Sequence, residues 1–160
     1  MKAIFTGSFD PITLGHIEIV KKASAFFEQL YVVALLNEKK SYMLSLEEKE
    51  EIMRLSLGGF DNVIVDSYSG LTADYMHEHG ITKIVRGIRG SEDEKYEQQL
   101  ASAMKAYDQS FETIFIESDD EFKGISSTYA RDLLENGESL DGVIAESAQE
   151  RLIEILKSKK

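Results

Sequence analysis

Short apolar, β-branched runs alternate along this chain with longer segments in which apolar residues recur every three to four positions. The runs Ala3 to Phe5, Tyr31 to Leu36, Val63 to Val65, Ile84 to Val85 and Thr113 to Ile116 predict strands. A first helix is predicted from about Gly15 to Glu28, with Ile17, Val20, Ala23, Ser24 and Phe27 on its inward stripe. Ser45-Leu46-Glu47-Glu48 has the capping-box pattern, in which a serine and a glutamate three residues on each take an otherwise unpaired amide. It opens a helix ending near Gly58-Gly59. Leu71 to Glu78 predicts a short helix closed by Gly80 in the left-handed conformation. Ser91-Glu92-Asp93-Glu94 has the same capping pattern and starts a helix reaching about Tyr107. Ser126 or Ser127 caps a helix that ends at Asn136-Gly137, and a last helix spans about Ser147 to Lys157 with Leu152, Ile155 and Leu156 inward.

Strands alternating with helices imply an α/β fold: a doubly wound, parallel, five-stranded sheet with right-handed crossovers. Residues 1–160 read as one domain, without internal repeat or linker. Ligands of such sheets bind beyond the carboxyl ends of the strands. The segments expected at that rim are Gly7 to His16, Asn37 to Lys40, Leu71-Thr72, Arg86 to Arg89 and Phe122 to Thr128.

Composition narrows the chemistry. A net charge of -11, from 18 basic and 29 acidic residues, opposes non-specific attraction to nucleic acid or an anionic membrane. Phosphates would have to be met by a few local cations. Without cysteine there is no disulfide framework, thiolate metal site or catalytic thiol. The start leads straight into strand-like sequence and no apolar run approaches a membrane span, so a cytoplasmic protein is expected.

The most informative segment is Phe5-Thr6-Gly7-Ser8-Phe9-Asp10-Pro11-Ile12-Thr13-Leu14-Gly15-His16, which holds the chain's only proline and delivers an imidazole to a helix N-terminus. Unpaired amides and the helix dipole favour an anion there, and a triphosphate is a natural occupant. In Arg86-Gly87-Ile88-Arg89-Gly90, two guanidinium groups able to grip phosphate stand among glycines that allow close backbone approach. Lys40 follows the second strand. Ser126, Ser127 and Thr128 open a helix with three hydroxyls, of which one suffices as cap. His77 and His79, two residues apart, point to different helix faces, poor geometry for a metal pair. The acidic run Asp119-Asp120-Glu121 reads as solvated loop.

Gly7 to His16 resembles the N-terminal signature of the nucleotidyltransferases marked by a Thr-x-Gly-His or His-x-Gly-His turn. Arg86-Gly87-Ile88-Arg89 with Glu97 eight residues on, Asn37-x-x-Lys40 and Ile125-Ser126-Ser127-Thr128 are similar to the bacterial phosphopantetheine adenylyltransferase family, over a span from Lys2 to about Ile155. That resemblance implies a Rossmann-like fold and transfer of AMP from ATP to 4'-phosphopantetheine, giving dephospho-coenzyme A and pyrophosphate. It implies catalytic roles for His16, Lys40 and Arg89. It assigns ATP to Ser8, Phe9, His16, Gly87, Ile88, Arg89, Glu97, Phe122, Lys123, Gly124, Ile125, Ser126, Ser127 and Thr128, and the phosphopantetheine to Ser8, Lys40, Thr72 and Arg86. Mg2+ carried with ATP, a homohexamer and inhibition by coenzyme A are further implications. Glu38, Leu44, Glu94-Lys95 and Gly124 depart from the family's usual residues and bear on the shape of the nucleotide pocket. Two other readings stay open: a sibling enzyme adenylylating nicotinate mononucleotide, and a nucleotide-binding module without catalysis.

Overall fold

A computed structural model describes residues 1–159, together with the backbone but not the side chains of Ser91 and Glu92. Its strands are β1 (Lys2–Gly7), β2 (Gln29–Leu35), β3 (Val63–Tyr68), β4 (Lys83–Ile88) and β5 (Glu112–Glu117), and its helices are α1 (Leu14–Ser24), α2 (Leu46–Leu57), α3 (Thr72–His79), α4 (Ser91–Tyr107), α5 (Ser127–Glu135) and α6 (Glu146–Ser158). All strand pairs are parallel, in the order β3-β2-β1-β4-β5. This is the expected doubly wound five-stranded sheet, and the order reverses direction between β1 and β4, where such sheets open their ligand crevice.

Alternation along the strands sorts the core into two layers. Ala3, Phe5, Leu30, Val32 and Val85 face one side and bury α1, α2, α5 and α6 through residues such as Val20, Ile52, Ala130 and Leu152. Ile4, Tyr31, Val33 and Ile84 face the other and pack on Ala73, Tyr75 and Met76 of α3. Among the described residues no helix is long and apolar enough to cross a membrane.

Several boundaries differ from those the sequence pattern predicts. The strands run further toward their carboxyl ends, through Gly7, Tyr68 and Ile88, because ladder pairing holds polar and glycine positions that carry no strand propensity of their own. α1 stops at Ser24 rather than Glu28, since the Asn62 side-chain amide donates to the carbonyls of Ser24 and Phe27 and turns the chain into β2. Ser24 is half-buried, and Phe27 reaches the core from beyond the helix. α4 is capped by Gly90, which makes Ser91 its first helical residue; the predicted capping box rests on side chains outside the described residues, and Asp93 instead accepts the Arg89 amide at 3.0 Å. The Ser45 box and the left-handed Gly80 cap form as predicted. Asp119 is not simply solvated: Lys22 bridges it to Glu18.

Gly15 is required by packing. A Cβ there would lie 2.9 Å from the Ile125 carbonyl oxygen, so the first turn of α1 lies directly against the chain entering α5. At Gly124 a Cβ would meet nothing within 4 Å. Gly15→Ala is therefore expected to lower the unfolding free energy by about 1–3 kcal/mol in urea titration. Gly124→Ala should stay within about 0.5 kcal/mol of the parent.

Candidate active site

Strand ends and helix starts frame two clefts that share Thr6, Gly7, Ser8 and Arg86. The larger, about 620 Å³, lies beyond β1 and β2 and is lined by Asn37, Lys40, Tyr42, Ser69 and Thr72. The smaller, about 390 Å³, lies between β1 and β4 and is lined by Gly15, His16, Gly87, Arg89, Glu97, Phe122 and the Ile125 to Thr128 segment. A further cavity of about 200 Å³ shares Thr6, Leu35, Thr72 and Arg86 with the larger cleft and is otherwise lined by Ile84, Leu100, Ala101, Met104 and Thr113, mostly apolar.

Arg86 stands where the clefts meet. Register pairing of β1 with β4 ends at Phe5↔Val85, and beyond it the Arg86 guanidinium fills the gap: Nη1 donates to the Thr6 carbonyl at 3.2 Å. Nε and Nη2 donate to the two Glu97 oxygens at 2.7 and 2.9 Å, a fork that locks the plane of the guanidinium. Glu97 is only 5% exposed, so its negative charge is spent on Arg86 and the pair offers a remaining N–H edge rather than a bare net charge.

His16 is half-buried on α1, edge-to-face with Phe9 at 5.0 Å between ring centroids. The Thr13 amide donates to its Nδ1 at 3.0 Å. An amide can only donate, so Nδ1 is unprotonated and the proton of the neutral ring sits on Nε2. Burial pushes the His16 pKa down from 6.5 to about 4, and the Arg89 charge adds to the effect. The ring is thus a neutral N–H donor at physiological pH, set among the amides of a helix N-terminus. Phe9 adopts φ 45 and is 1% exposed; its ring supports His16 from the core, which leaves only its backbone to meet a ligand.

The α5 start resolves the three hydroxyls. Ser126 accepts the Tyr129 amide at 3.1 Å, Thr128 accepts from Arg131 at 3.0 Å, and each keeps its own O–H to donate. Ser127 has committed its proton to the Pro11 carbonyl at 2.8 Å, so of the three it is the one unable to give that hydrogen to a phosphate in this arrangement. Lys40 and Arg89 are exposed on the walls of their clefts. Ile88, Lys123 and Gly124 fall outside both linings, and Lys123 is paired with Asp120 at 2.9 Å.

The sequence reading passed over three contributors. Arg131 lines the smaller cleft and donates to the Asp10 carbonyl at 2.8 Å; its position three residues after Thr128, on the same helix face, was the available signal. Buried Asp10 accepts the amides of Met43 and Leu44 at 2.8 and 2.9 Å, tying the first turn to the loop of Lys40. Thr6 joins both clefts. His77 and His79 go to Asp108 and the Tyr75 carbonyl, and no group of three His, Asp or Glu side chains able to hold a metal occurs among the described residues.

The His16 state is measurable. Folded protein keeps the ring neutral to about pH 4 whereas the unfolded chain takes the proton near 6.5. Its stabilising contribution is therefore complete above pH 6.5 and is lost as pH falls toward 4. In an NMR titration the His16 ring resonances, identified with a His16→Asn variant, should stay flat from pH 8 to about 5.5. A midpoint near 6.5 would contradict the buried neutral tautomer.

Residues 4–133 match the model of the Cytidylyltransferase-like family. A phosphopantetheine adenylyltransferase of Thermotoga neapolitana is 37% identical over 160 residues, covering 100% of this chain and 99% of the relative. One from Shouchella clausii is 31% identical over 156 residues, with 98% of each covered. Among solved structures, the nicotinic acid mononucleotide adenylyltransferase of Plasmodium falciparum complexed with NaAD superposes with a TM-score of 0.67 at 18% identity, over 96% of this chain and 95% of that one, a likeness of fold. The cleft architecture and the full-length relatives agree: this chain belongs to the cytidylyltransferase-like nucleotidyltransferases and, among them, to the phosphopantetheine adenylyltransferase family.

Proposed function

We propose that this protein transfers AMP from ATP to the phosphate of 4'-phosphopantetheine, releasing pyrophosphate and forming dephospho-coenzyme A. The observation that carries the reading is the pair of clefts meeting at Ser8 and Arg86, each with its own exposed cation, in a chain whose full-length relatives bear that activity's name. ATP takes the smaller cleft, its phosphates over the α1 amides, His16 and Arg89, with Ser126 and Thr128 as hydroxyl donors. The acceptor takes the larger cleft, its phosphate near Lys40 and the free edge of Arg86, with Thr72 alongside. The apolar cavity by Leu100 and Met104 suits the uncharged part of the same molecule.

An oxygen of the acceptor phosphate attacks the α-phosphorus of ATP. A new P–O bond forms, the bond to the bridging oxygen breaks, and the electron pair leaves on pyrophosphate. The acceptor is already an anion, so the protein supplies neither nucleophile nor strong base. Its work is to hold two anions in line and to stabilise charge moving toward the leaving group. His16, donating from Nε2, does this without gaining or losing a proton. Lys40 and Arg89 add positive charge at opposite ends of the reacting line.

ATP is proposed to arrive with Mg2+, which would screen its phosphate charge. Among the described residues no protein cage forms for such an ion: Asp93 and Glu97, the carboxylates lining the smaller cleft, are engaged by the Arg89 amide and by Arg86. Phosphate oxygens and water would supply its ligands, and no step is assigned to it. A cytoplasmic homohexamer inhibited by coenzyme A, which shares the product's groups, completes the proposal.

Pyrophosphate release from ATP should be rapid with 4'-phosphopantetheine and absent with nicotinate mononucleotide or without acceptor. Preference for nicotinate mononucleotide would move the protein to its sibling group, and silence with every acceptor would leave a binding module. His16→Ala should still fold, with a loss of about 1–3 kcal/mol because the buried Thr13 amide loses its acceptor, while kcat falls about 10²-fold or more. Light scattering at micromolar concentration should give six copies of the chain; a monomer would remove the hexamer from the proposal.

A further inference from the structure

Lys49 is the one fully buried cation of the described core, at 0% exposure on the first turn of α2. Its ammonium has no hydrogen-bond partner among the described residues. It lies 3.6 Å from the centroid of the Tyr42 ring, and desolvation lowers its pKa while the charge of Asp10 pulls the other way. The placement is costly on two counts. A buried ammonium forfeits hydration, and a cation at a helix N-terminus opposes the helix dipole.

What the ammonium touches accounts for its presence. Tyr42 lines the larger cleft, and its hydroxyl accepts the Asn37 amide at 3.0 Å. Asn37 in turn accepts the Lys40 amide on its carbonyl at 2.9 Å and the Lys39 amide on its side chain at 3.0 Å. On the near side, Asp10 holds the amides of Met43 and Leu44, and its carboxylate is the countercharge nearest to Lys49 in effect. The segment from Asn37 to Leu44 is thereby held at both ends. Asp10 fixes its return, and the Lys49 ammonium, through the face of Tyr42, fixes its outward half.

We propose that Lys49 is a positioning residue: seated on the Tyr42 ring, it orders the Asn37 to Leu44 loop and so sets Lys40 at the mouth of the acceptor cleft. The consequence for the acceptor rests on the adenylyl-transfer reading above; the ordering of the loop does not.

Two readouts separate these. Lys49→Met keeps the stem and removes the charge; Tyr42→Leu removes the ring together with the hydroxyl that accepts the Asn37 amide, and Tyr42→Phe, which loses only the hydroxyl, should be cleaved more slowly than Tyr42→Leu if the ring carries the contact. Trypsin, which cuts after lysine, should cleave folded Lys49→Met and Tyr42→Leu at Lys39 and Lys40 about tenfold faster than the parent, the scale set by a desolvated cation–π contact. Lys49→Arg should restore most of the resistance. In the pyrophosphate assay, Lys49→Met should raise KM for 4'-phosphopantetheine about tenfold and leave KM for ATP within about twofold. Parent-like cleavage at Lys39 and Lys40 in both variants overturns the proposal, as does an equal rise in both KM values. A parent protein that releases no pyrophosphate with this acceptor sinks the functional reading instead, while the cleavage rates still decide the role of Lys49.

Discussion

The turn from Asp10 to Leu14 is the joint on which the site is assembled. Asp10 accepts the amides of Met43 and Leu44 on its carboxylate and Arg131 on its carbonyl. Pro11 accepts from Ser127, the Leu14 amide donates to Val143 and Gly15 lies against Ile125. Segments far apart in sequence therefore converge on a few residues after the central strand. Their backbone groups would otherwise be buried without partners, at a cost of about 1–3 kcal/mol each. This network makes the relative placement of the cleft walls a consequence of folding.

The electrostatics follow from the same economy of partners. In the proposed reaction an acidic chain must attract two anionic substrates to neighbouring clefts, and several of its cations are held in surface pairs such as Lys22–Asp119 and Arg54–Glu50. The rim holds cations of two kinds. Arg86 is neutralised by Glu97 and so fixed in direction, while Lys40 and Arg89 have no ion-pair partner among the described residues. In the proposed reaction a rigid, charge-balanced arginine beside two exposed cations separates two tasks: Arg86 gives geometry, and Lys40 and Arg89 give net attraction.

The strand cores and helix faces were legible because burial shapes the sequence, into an unbroken apolar run at Leu30 to Ala34, buried on both faces, and into helical spacing at Leu152 and Ile155 of α6. The ends of β1, β3 and β4 were not, because Thr6-Gly7, Asp66-Ser67 and Arg86-Gly87 have the composition of loops and are held extended only by neighbouring strands. Of these, Thr6, Gly7, Arg86 and Gly87 line the clefts. Of the site, the residues inside compact motifs could be named from sequence. Long-range partners could not: the resemblance marks Glu97 as a nucleotide contact, and only the fold shows its carboxylate paired with Arg86, just as only the fold brings Met43 and Leu44 to Asp10. Ser127 shows the opposite limit, since its hydroxyl carries the right chemistry in the right loop but is consumed by Pro11.

His16 links these observations. A charged imidazolium would attract phosphate more strongly, yet it would titrate in the pH range where phosphate monoesters also change charge, so binding and protonation would be coupled. The Thr13 amide and burial among Phe5, Phe9 and Arg89 remove that coupling by keeping the ring neutral with its proton on Nε2. In the proposed reaction the donor is then ready beforehand and unchanged afterwards, which is the form of stabilisation that asks least reorganisation of the protein as charge moves. Net positive charge is left to Lys40 and Arg89, on exposed walls where water limits the cost of carrying it. The division follows from desolvation: a buried group at this site serves best as a fixed dipole and an exposed one as a charge.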